Sequence, residues 1–233
     1  KGLNKKFGGL EGIKAIVNYG LPGGMPAWGK LGIMNPGQID LISRFLQHEP
    51  PAPPEMSLAQ MKKTWKVYVQ PKDRPTKPEH GLDWKNFFGV VLRDAGKVAI
   101  FDGDTKEMIN IVNTGFAVHI LRSSASGRYF YSIGRDGRVT MIDLWMKKPD
   151  KVAEVKVCYD ARSVDSSKYK GEKGDYLDKY LIVGGYWPPS LIIMDGQTLE
   201  PIKLVCTSSY TYDTYEYRRE ARAAAIVASH HDP

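Results

Sequence analysis

Cysteine is almost missing from this chain. It has two among 233 residues, Cys158 and Cys206. They stand far apart, in neither a CxxC nor a CxxCH pattern. Two such cysteines define no disulfide framework and no zinc site, which leaves plain buried thiols. Long apolar runs are missing too, and none approaches the roughly 18 residues of a membrane-crossing helix. A concentrated block of one charge is also absent. Net charge is +7 from 33 Lys and Arg against 26 Asp and Glu, but the basic residues are scattered, so a nucleic-acid reading has little support. A basic face for docking an acidic protein, or arginines committed to an anionic ligand, would give the same total. No Met and no charged-then-apolar leader opens the chain at Lys1, and nothing closes it after the apolar run Ala223 to Ala228. The ends suggest an internal part of a longer protein, so the missing leader leaves the compartment open.

What is present suits one or two globular domains, with an ordinary 42% hydrophobic content. Glu11 to Tyr19 reads as a short helix with Ile13, Ile16 and Val17 on one stripe. The stretch GLPGGMPAWG, from Gly20 to Gly29, is too rich in glycine and proline for regular structure. It holds Met25 and Trp28 in a loop. Asn35-Pro36 starts a second helix as cap and first-turn proline, with Ile39, Ile42, Phe45 and Leu46 as its expected buried stripe. Prolines from Pro50 to Pro78 then predict a semi-rigid extended connector. Within it, Ala59 to Lys63 suggests a helical turn, and Trp65, Val67 and Val69 alternate like an edge strand.

From Phe87 onward the chain reads as strands and turns. Val98 to Asp102, Val139 to Asp143 and Leu191 to Asp195 are three versions of one pattern, an apolar strand ending in Asp after a tight turn. Asp136-Gly137 is a strong hairpin signal. The spacing, about 40 and then about 50 residues, is that of β-propeller blades. The longer gap holds the polar insert Ser166 to Asp178, expected as a surface loop. Three blades alone would leave a raw sheet edge.

His119 lies between apolar neighbours in the second repeat, with Arg122, Arg128, Arg135 and Arg138 close behind. An imidazole can coordinate a metal, and each guanidinium can present paired N–H groups to a carboxylate. The set suits a flat, polyanionic ligand with a central metal. A satisfied core histidine with arginines in exposed turns remains the alternative from these residues alone. Arg93, His119 with Arg122, Arg135, Arg162 and Tyr186 recur once per strand or blade, at strand ends that converge on a propeller channel, which favours the ligand.

The loop GLPGGMPAWG with the following HEPPAPPE resembles the C-terminal half of the c-type cytochrome domain of cytochrome cd1 nitrite reductases. WKVYVQPKDRP, LRDAGKVAIFDGDT, AVHILRSSASGRYFYSIGRDGRVTMIDLW and YWPPSLIIMDG resemble the start of that family's d1 domain. The resemblance runs in order over nearly the whole chain. It implies a mainly β chain: about three blades of an eight-bladed β-propeller, preceded by a small α-helical remnant of a c-type cytochrome domain. The implied divisions are residues 1–50 for the cytochrome part, 51–80 for the linker and 81–233 for the truncated propeller. It implies that Met25 is the sulfur ligand of the heme c iron, although the CxxCH that attaches heme c is absent from this sequence. Trp28 matches the aromatic between heme c and the d1 domain. His119 matches the ligand of the heme d1 iron. Arg93, Arg122, Arg135 and Arg162 match contacts to its carboxylates, and Tyr186 a polar pocket contact.

Arg128 and Arg138 have no such match and are expected as solvated strand-end charges. The family's proton-donating histidines have no counterpart here; His230 and His231 are expected in an exposed turn, and His48 and His80 are given no role. Ser208-Ser209 and Arg218-Arg219 depart from the family pattern, outside the His119 constellation. The implied activity is reduction of nitrite to nitric oxide at heme d1, with electrons passing through heme c from a small periplasmic cytochrome c or cupredoxin. A periplasmic homodimer is implied, with no nucleic acid and no membrane span. Two alternatives stand beside it: a related protein acting in heme d1 biosynthesis, and a propeller scaffold without cofactor.

Overall fold

The computed structural model describes residues 8–22, 25–48, 55–210, 216–218 and 221–231. The chain divides into two compact units, Lys1–Ala52 and Pro53–Pro233.

The first unit is two helices, α1 (Gly9–Tyr19) and α2 (Pro36–Phe45). Asn35 caps α2 through a capping box, its side chain accepting from Gln38 N while Gln38 reaches back to Asn35 N, both at 2.9 Å. Ile13, Val17 and Ile39 form a small core with Trp28, Met34 and Ile42 packed against it. The stripe expected on α2 is only half realised, since Phe45 is 67% and Leu46 41% exposed. A helix pair covers one stripe of each helix, and these two side chains lie beyond it.

The second unit begins with α3 (Leu58–Thr64), closed by a Ser57–Gln60 capping box. The helical turn expected over Ala59 to Lys63 is present as α3, but the described part of the stretch packs on the main core rather than running as a free extended connector. Met56 and Met61 of this stretch are buried in the main core. Trp65 Nε1 donates to Thr198 O at 2.7 Å. Strand β1 (Lys66–Val67) pairs antiparallel with a later strand. Met56 and Met61 hold the stretch on the sheets together with Leu58, Trp65 and Val69, each burying apolar surface against the same core.

Next come β2 (Phe88–Leu92), β3 (Lys97–Phe101) and β4 (Met108–Asn113), one antiparallel sheet. β5 (Val118–Ser123), β6 (Tyr129–Gly134), β7 (Arg138–Asp143) and β8 (Asp150–Lys156) form a second sheet, extended at its outer edge by β1. The third sheet starts with β9 (Asp160–Ser166). The polar insert follows as a short ribbon of β10 (Lys170–Gly171) and β11 (Gly174–Asp175). Then β12 (Tyr180–Trp187), β13 (Pro189–Asp195) and β14 (Pro201–Cys206) complete the third sheet in the order β9-β12-β13-β14. A small ribbon of β15 (Ser209–Tyr210) and β16 (Tyr217–Arg218) comes last.

Each large sheet is up-and-down, and the sheets pack face to face. Val98, Ile100, Val118 and Phe130 lie between the first and second. Tyr131, Ile133, Met141, Val164, Val183 and Ile192 lie between the second and third. β2, β5 and β9 are edge strands of their sheets, and β5 contacts both β2 and β9. These are the inner strands of three consecutive propeller blades.

The repeated aspartates share one task. Asp102 accepts from Asp104 N at 3.1 Å, Asp143 from Trp145 N at 3.0 Å and Asp195 from Gln197 N at 2.9 Å. Each ends its strand by an Asx turn. The repeat does not mark one strand position, however. β3 is second from its inner edge, whereas β7 and β13 are third. Gly137 completes the β6–β7 hairpin at φ 72°, and a Cβ there would meet Cys158 O at 1.9 Å, so both the turn and its neighbour require glycine.

Candidate cofactor site

β5 pairs Val118 with Gly134 but Ile120 with Ile133, so His119 is the extra residue of a β-bulge. Ala117, just before the strand, has φ 46°. A bulge turns the side chain of its extra residue away from the regular alternation. His119 Nδ1 lies 3.3 Å from Ala117 O. A carbonyl only accepts, so Nδ1 is the donor of this contact and Nε2 is the ring nitrogen left for another partner. Nε2 is buried and has no hydrogen-bond partner. Such an atom is costly unless something else occupies it.

Beside this bulge is a cleft of about 670 Å³ lined by Arg93, Asp94, Phe116, Ala117, Arg135, Tyr159 and Asp160. Arg93 follows the end of β2 and is half exposed, with its guanidinium 3.3 Å from its neighbour Asp94. Arg135 follows β6, and its backbone N donates to Phe116 O at 2.9 Å. Its guanidinium reaches Asp160 at 3.5 Å. Arg162 on β9 reaches the other oxygen of Asp160, also at 3.5 Å. Asp160 thus joins Arg135 to Arg162. Arg162 Nε and Asp160 Oδ1 are both buried without an aligned hydrogen bond. Beyond it, Arg162 and Arg222 stand over the Tyr186 ring, 5.1 and 5.7 Å from its centroid. Phe116 offers a ring that is 70% exposed.

The structure therefore brings Arg93 and Arg135 to one cleft with Ala117, the carbonyl partner of His119. It links Arg162 and Tyr186 to that cleft through Asp160. Arg122 is exposed on β5, three residues past His119, and does not line the cleft. Met25 and Trp28 belong to the helical unit. Met25 is 36% exposed, with its carbonyl accepting from Leu21 N at 3.1 Å, and Trp28 packs on the small core. His230 and His231 are exposed.

Two expectations need correction, those for Arg128 and Arg138. Arg128 is no solvated charge: it donates to Asp143 at 3.0 and 2.6 Å and to Pro75 O at 2.9 Å, with its guanidinium 4.3 Å from the Trp145 ring centroid. Asp143 is fully buried and demands that partner. Arg138 pairs at 2.7 Å with the buried Glu154. Burial alone would raise the Glu154 carboxyl. Hydrogen bonds from Lys151 and Tyr68 and the Arg138 charge outweigh it, holding the carboxyl below its ordinary range. His80, given no role, bonds Leu144 O through Nε2 at 2.7 Å and lies against Phe87.

Sequence reasoning passed over Asp160, Phe116, Tyr159 and Arg222. Asp160 could have been found from its i, i+2 spacing to Arg162, which puts both on one face of a strand. Cys158, next door, is a buried thiol pushed up to about 12, chiefly by burial.

Bladed sheets with a cleft lined by Arg93, Arg135, Asp94 and Asp160 at the ends of their inner strands define part of a β-propeller. A family model for the cytochrome D1 heme domain matches residues 82–233, and the chain belongs to that family. The nitrite reductase of Stutzerimonas stutzeri is 48% identical over 225 residues, 97% of this chain and 39% of that protein. The dihydro-heme d1 dehydrogenase of Pseudomonas aeruginosa is 29% identical over 196 residues, 82% of this chain and 37% of that protein. The chain thus spans about two-fifths of these relatives. Among solved structures, a dihydro-heme d1 dehydrogenase in complex with DHE shares the fold at TM-score 0.68 and 24% identity, over 98% of this chain and 45% of that one. No described helix is long and apolar enough to cross a membrane.

Proposed function

We propose that the chain forms the His119 side of the heme d1 site in an enzyme that reduces nitrite to nitric oxide. Heme d1, when bound, supplies the redox-active iron for that one-electron reduction. His119 Nε2 would be its protein ligand, with Nδ1–H anchored on Ala117 O, an outer contact that fixes ring orientation and raises ligand basicity. Arg93, Arg135 and Arg162, with Arg122 from outside the cleft, would hold the carboxylates, and Tyr186 would offer a polar contact. Guanidiniums on the cofactor also give the site a positive field that favours an anionic substrate.

Residues 1–50 are proposed as part of a c-type cytochrome domain, with Met25 as the sulfur ligand of the heme c iron and Trp28 as an aromatic contact of that cofactor. Residues 81–233 are proposed as the first blades of the heme d1 domain. Electrons from a small cytochrome c or cupredoxin, a periplasmic location and a homodimer complete the proposal. The 48% identity to a nitrite reductase, against 29% to a dihydro-heme d1 dehydrogenase, favours the reductase over a role in making the cofactor.

The observation that carries the reading is the bulged His119 with its pinned Nδ1 and its buried, partnerless Nε2. The test is reconstitution of the apo-protein with heme d1. Wild type should bind with the spectrum of an imidazole-ligated heme, and His119→Ala should lose that signature and retain heme d1 weakly. Unchanged binding and an unchanged spectrum in His119→Ala would refute it.

A further inference from the structure

Asp160 puts a carboxylate into the cleft proposed above for an anionic ligand. It stands 3.5 Å from Arg135 and 3.5 Å from Arg162, the outer limit of a hydrogen bond. Its own Oδ1 and the facing Arg162 Nε are buried and unaligned. The backbone beneath it is firmly held. Tyr159 N donates to Trp187 O at 2.7 Å, Cys158 Sγ bonds Asp160 O at 3.1 Å, and Asp160 pairs with Trp187 across β9 and β12. A carboxylate mounted this way offsets two guanidiniums without saturating them.

We propose that Asp160 is a specificity-determining residue that denies Arg135 and Arg162 to small free anions and yields them only to a ligand carrying several carboxylates on one rigid frame. The proposal rests on the heme d1 reading and deepens it. A free monovalent or divalent anion must approach a guanidinium while Asp160 stands a few ångströms away and repels it. A rigid polycarboxylate already anchored at Arg93 and His119 delivers its next carboxylate at high effective concentration, and so displaces Asp160 where a free ion does not.

The variants are Asp160→Asn, neutral and of the same shape, and Asp160→Glu, which keeps the charge; Asp160→Ser serves in place of the amide if that variant does not fold. The probes are inorganic sulfate, with sodium chloride at matched ionic strength, and heme d1. Sulfate should protect wild-type apo-protein against thermal unfolding no better than chloride does. In Asp160→Asn it should protect specifically. At roughly ten times its own Kd it should raise the apparent Kd for heme d1 about tenfold in that variant, as a competitor for the bound state must. Asp160→Glu should behave as wild type. An equal sulfate response in wild type and Asp160→Asn would overturn the proposal. So would loss of heme d1 in Asp160→Asn, without sulfate, that Asp160→Glu does not share, since Asp160 would then be holding the arginines in place. If wild type fails to bind heme d1 while sulfate still separates the variants, the anion filter stands and the heme d1 reading falls.

Discussion

Strand β6 has an arginine just beyond each end, and the protein treats the two oppositely. Arg128 precedes the strand and is 17% exposed, fork-bonded to a carboxylate with no exposure at all. Arg135 follows the strand and is 45% exposed, with one carboxylate contact at 3.5 Å. The first end is closed further by Asp178. It accepts from Ala125 N at 2.7 Å, Ser126 N at 3.1 Å and Ser166 Oγ at 2.8 Å, and also from Ser126 Oγ. The second end keeps His119 Nε2, Arg162 Nε and Asp160 Oδ1 without partners, beside an open cleft. Of these only Asp160 lines the cleft itself; His119 and Arg162 lie two residues from its lining residues Ala117 and Asp160, whereas Arg74, His80 and Trp145, which also carry partnerless buried nitrogens, adjoin none of its lining residues. The lesson is that an arginine's role follows its pairing. A saturated guanidinium holds the fold, and an under-satisfied one beside a cleft is available to a ligand.

The largest effect is expected at the closed end. Arg128→Ala strands the buried Asp143 carboxylate and should cost about 3–5 kcal/mol of stability, read by denaturant unfolding of the apo-protein. A loss below about 1 kcal/mol would erase the distinction between the two ends.

Asp178→Ala should come next. Its loss leaves the buried Ser166 hydroxyl and the partly buried Ala125 N–H short of an acceptor, at about 1–3 kcal/mol for a fully buried donor. This alters the expectation that the insert Ser166 to Asp178 is a dispensable surface loop. The ribbon β10–β11 is exposed, but Asp178, at the insert's end, is 3% exposed and pinned to the β5–β6 turn. Replacing residues 168–176 alone with a short Gly-Ser bridge should leave unfolding nearly unchanged, and replacing 166–178 should not.

The open end should show the reverse sign of sensitivity. Arg135→Ala and Arg162→Ala should each change stability by only about 0–1 kcal/mol. Each should weaken heme d1 binding by roughly ten- to a hundredfold, the loss of one charge-assisted contact. A titration of apo-protein with heme d1 reads this directly. Equal affinity in wild type and both variants would leave the cleft without a function.

The smallest effect belongs to Arg138, which sits near the open end but is committed to Glu154. Arg138→Ala should leave heme d1 affinity within about twofold and lower stability by about 1 kcal/mol, because Lys151 and Tyr68 still hold the carboxylate. Glu154 titrates below its ordinary value in the folded chain. The stability it contributes is therefore present above the unfolded carboxyl range, about 4.3, and fades as pH falls through the depressed folded value. The difference between wild type and Arg138→Ala should shrink below about pH 4. A difference that grew on acidification would mean that Arg138 acts on some other group.

Much of the fold was legible because its signals are local. Asn35-Pro36 makes a capping box with Gln38, Asp136-Gly137 turns a hairpin, and Asp102, Asp143 and Asp195 each bend the chain two residues on. Part of the site was legible as well, since strand period and blade spacing bring Arg93 and Arg135 to one end of their sheets. Arg128 and Arg138 were misjudged, and Asp160 overlooked, because nothing near them in sequence says which charge they will meet. The connector was misjudged because proline content outweighed Met56 and Met61, whose burial needs sheets formed later in the chain.

By itself the sequence determined three repeated strands that end in Asp, the Asp136-Gly137 turn and the blade spacing. The strand ends and the turn depend on neighbours a few residues away. Tertiary structure alone decided which arginines are spent and which are left over. Arg128 meets Asp143 across a strand pair, while Arg135 and Arg162 share Asp160 between two sheets. It also decided that His119 leaves the ladder, because a bulge exists only as a mismatch between two strands, Val118 to Ile120 against Ile133 and Gly134. Charges pair and strands mismatch through space, at distances along the chain that no local pattern records.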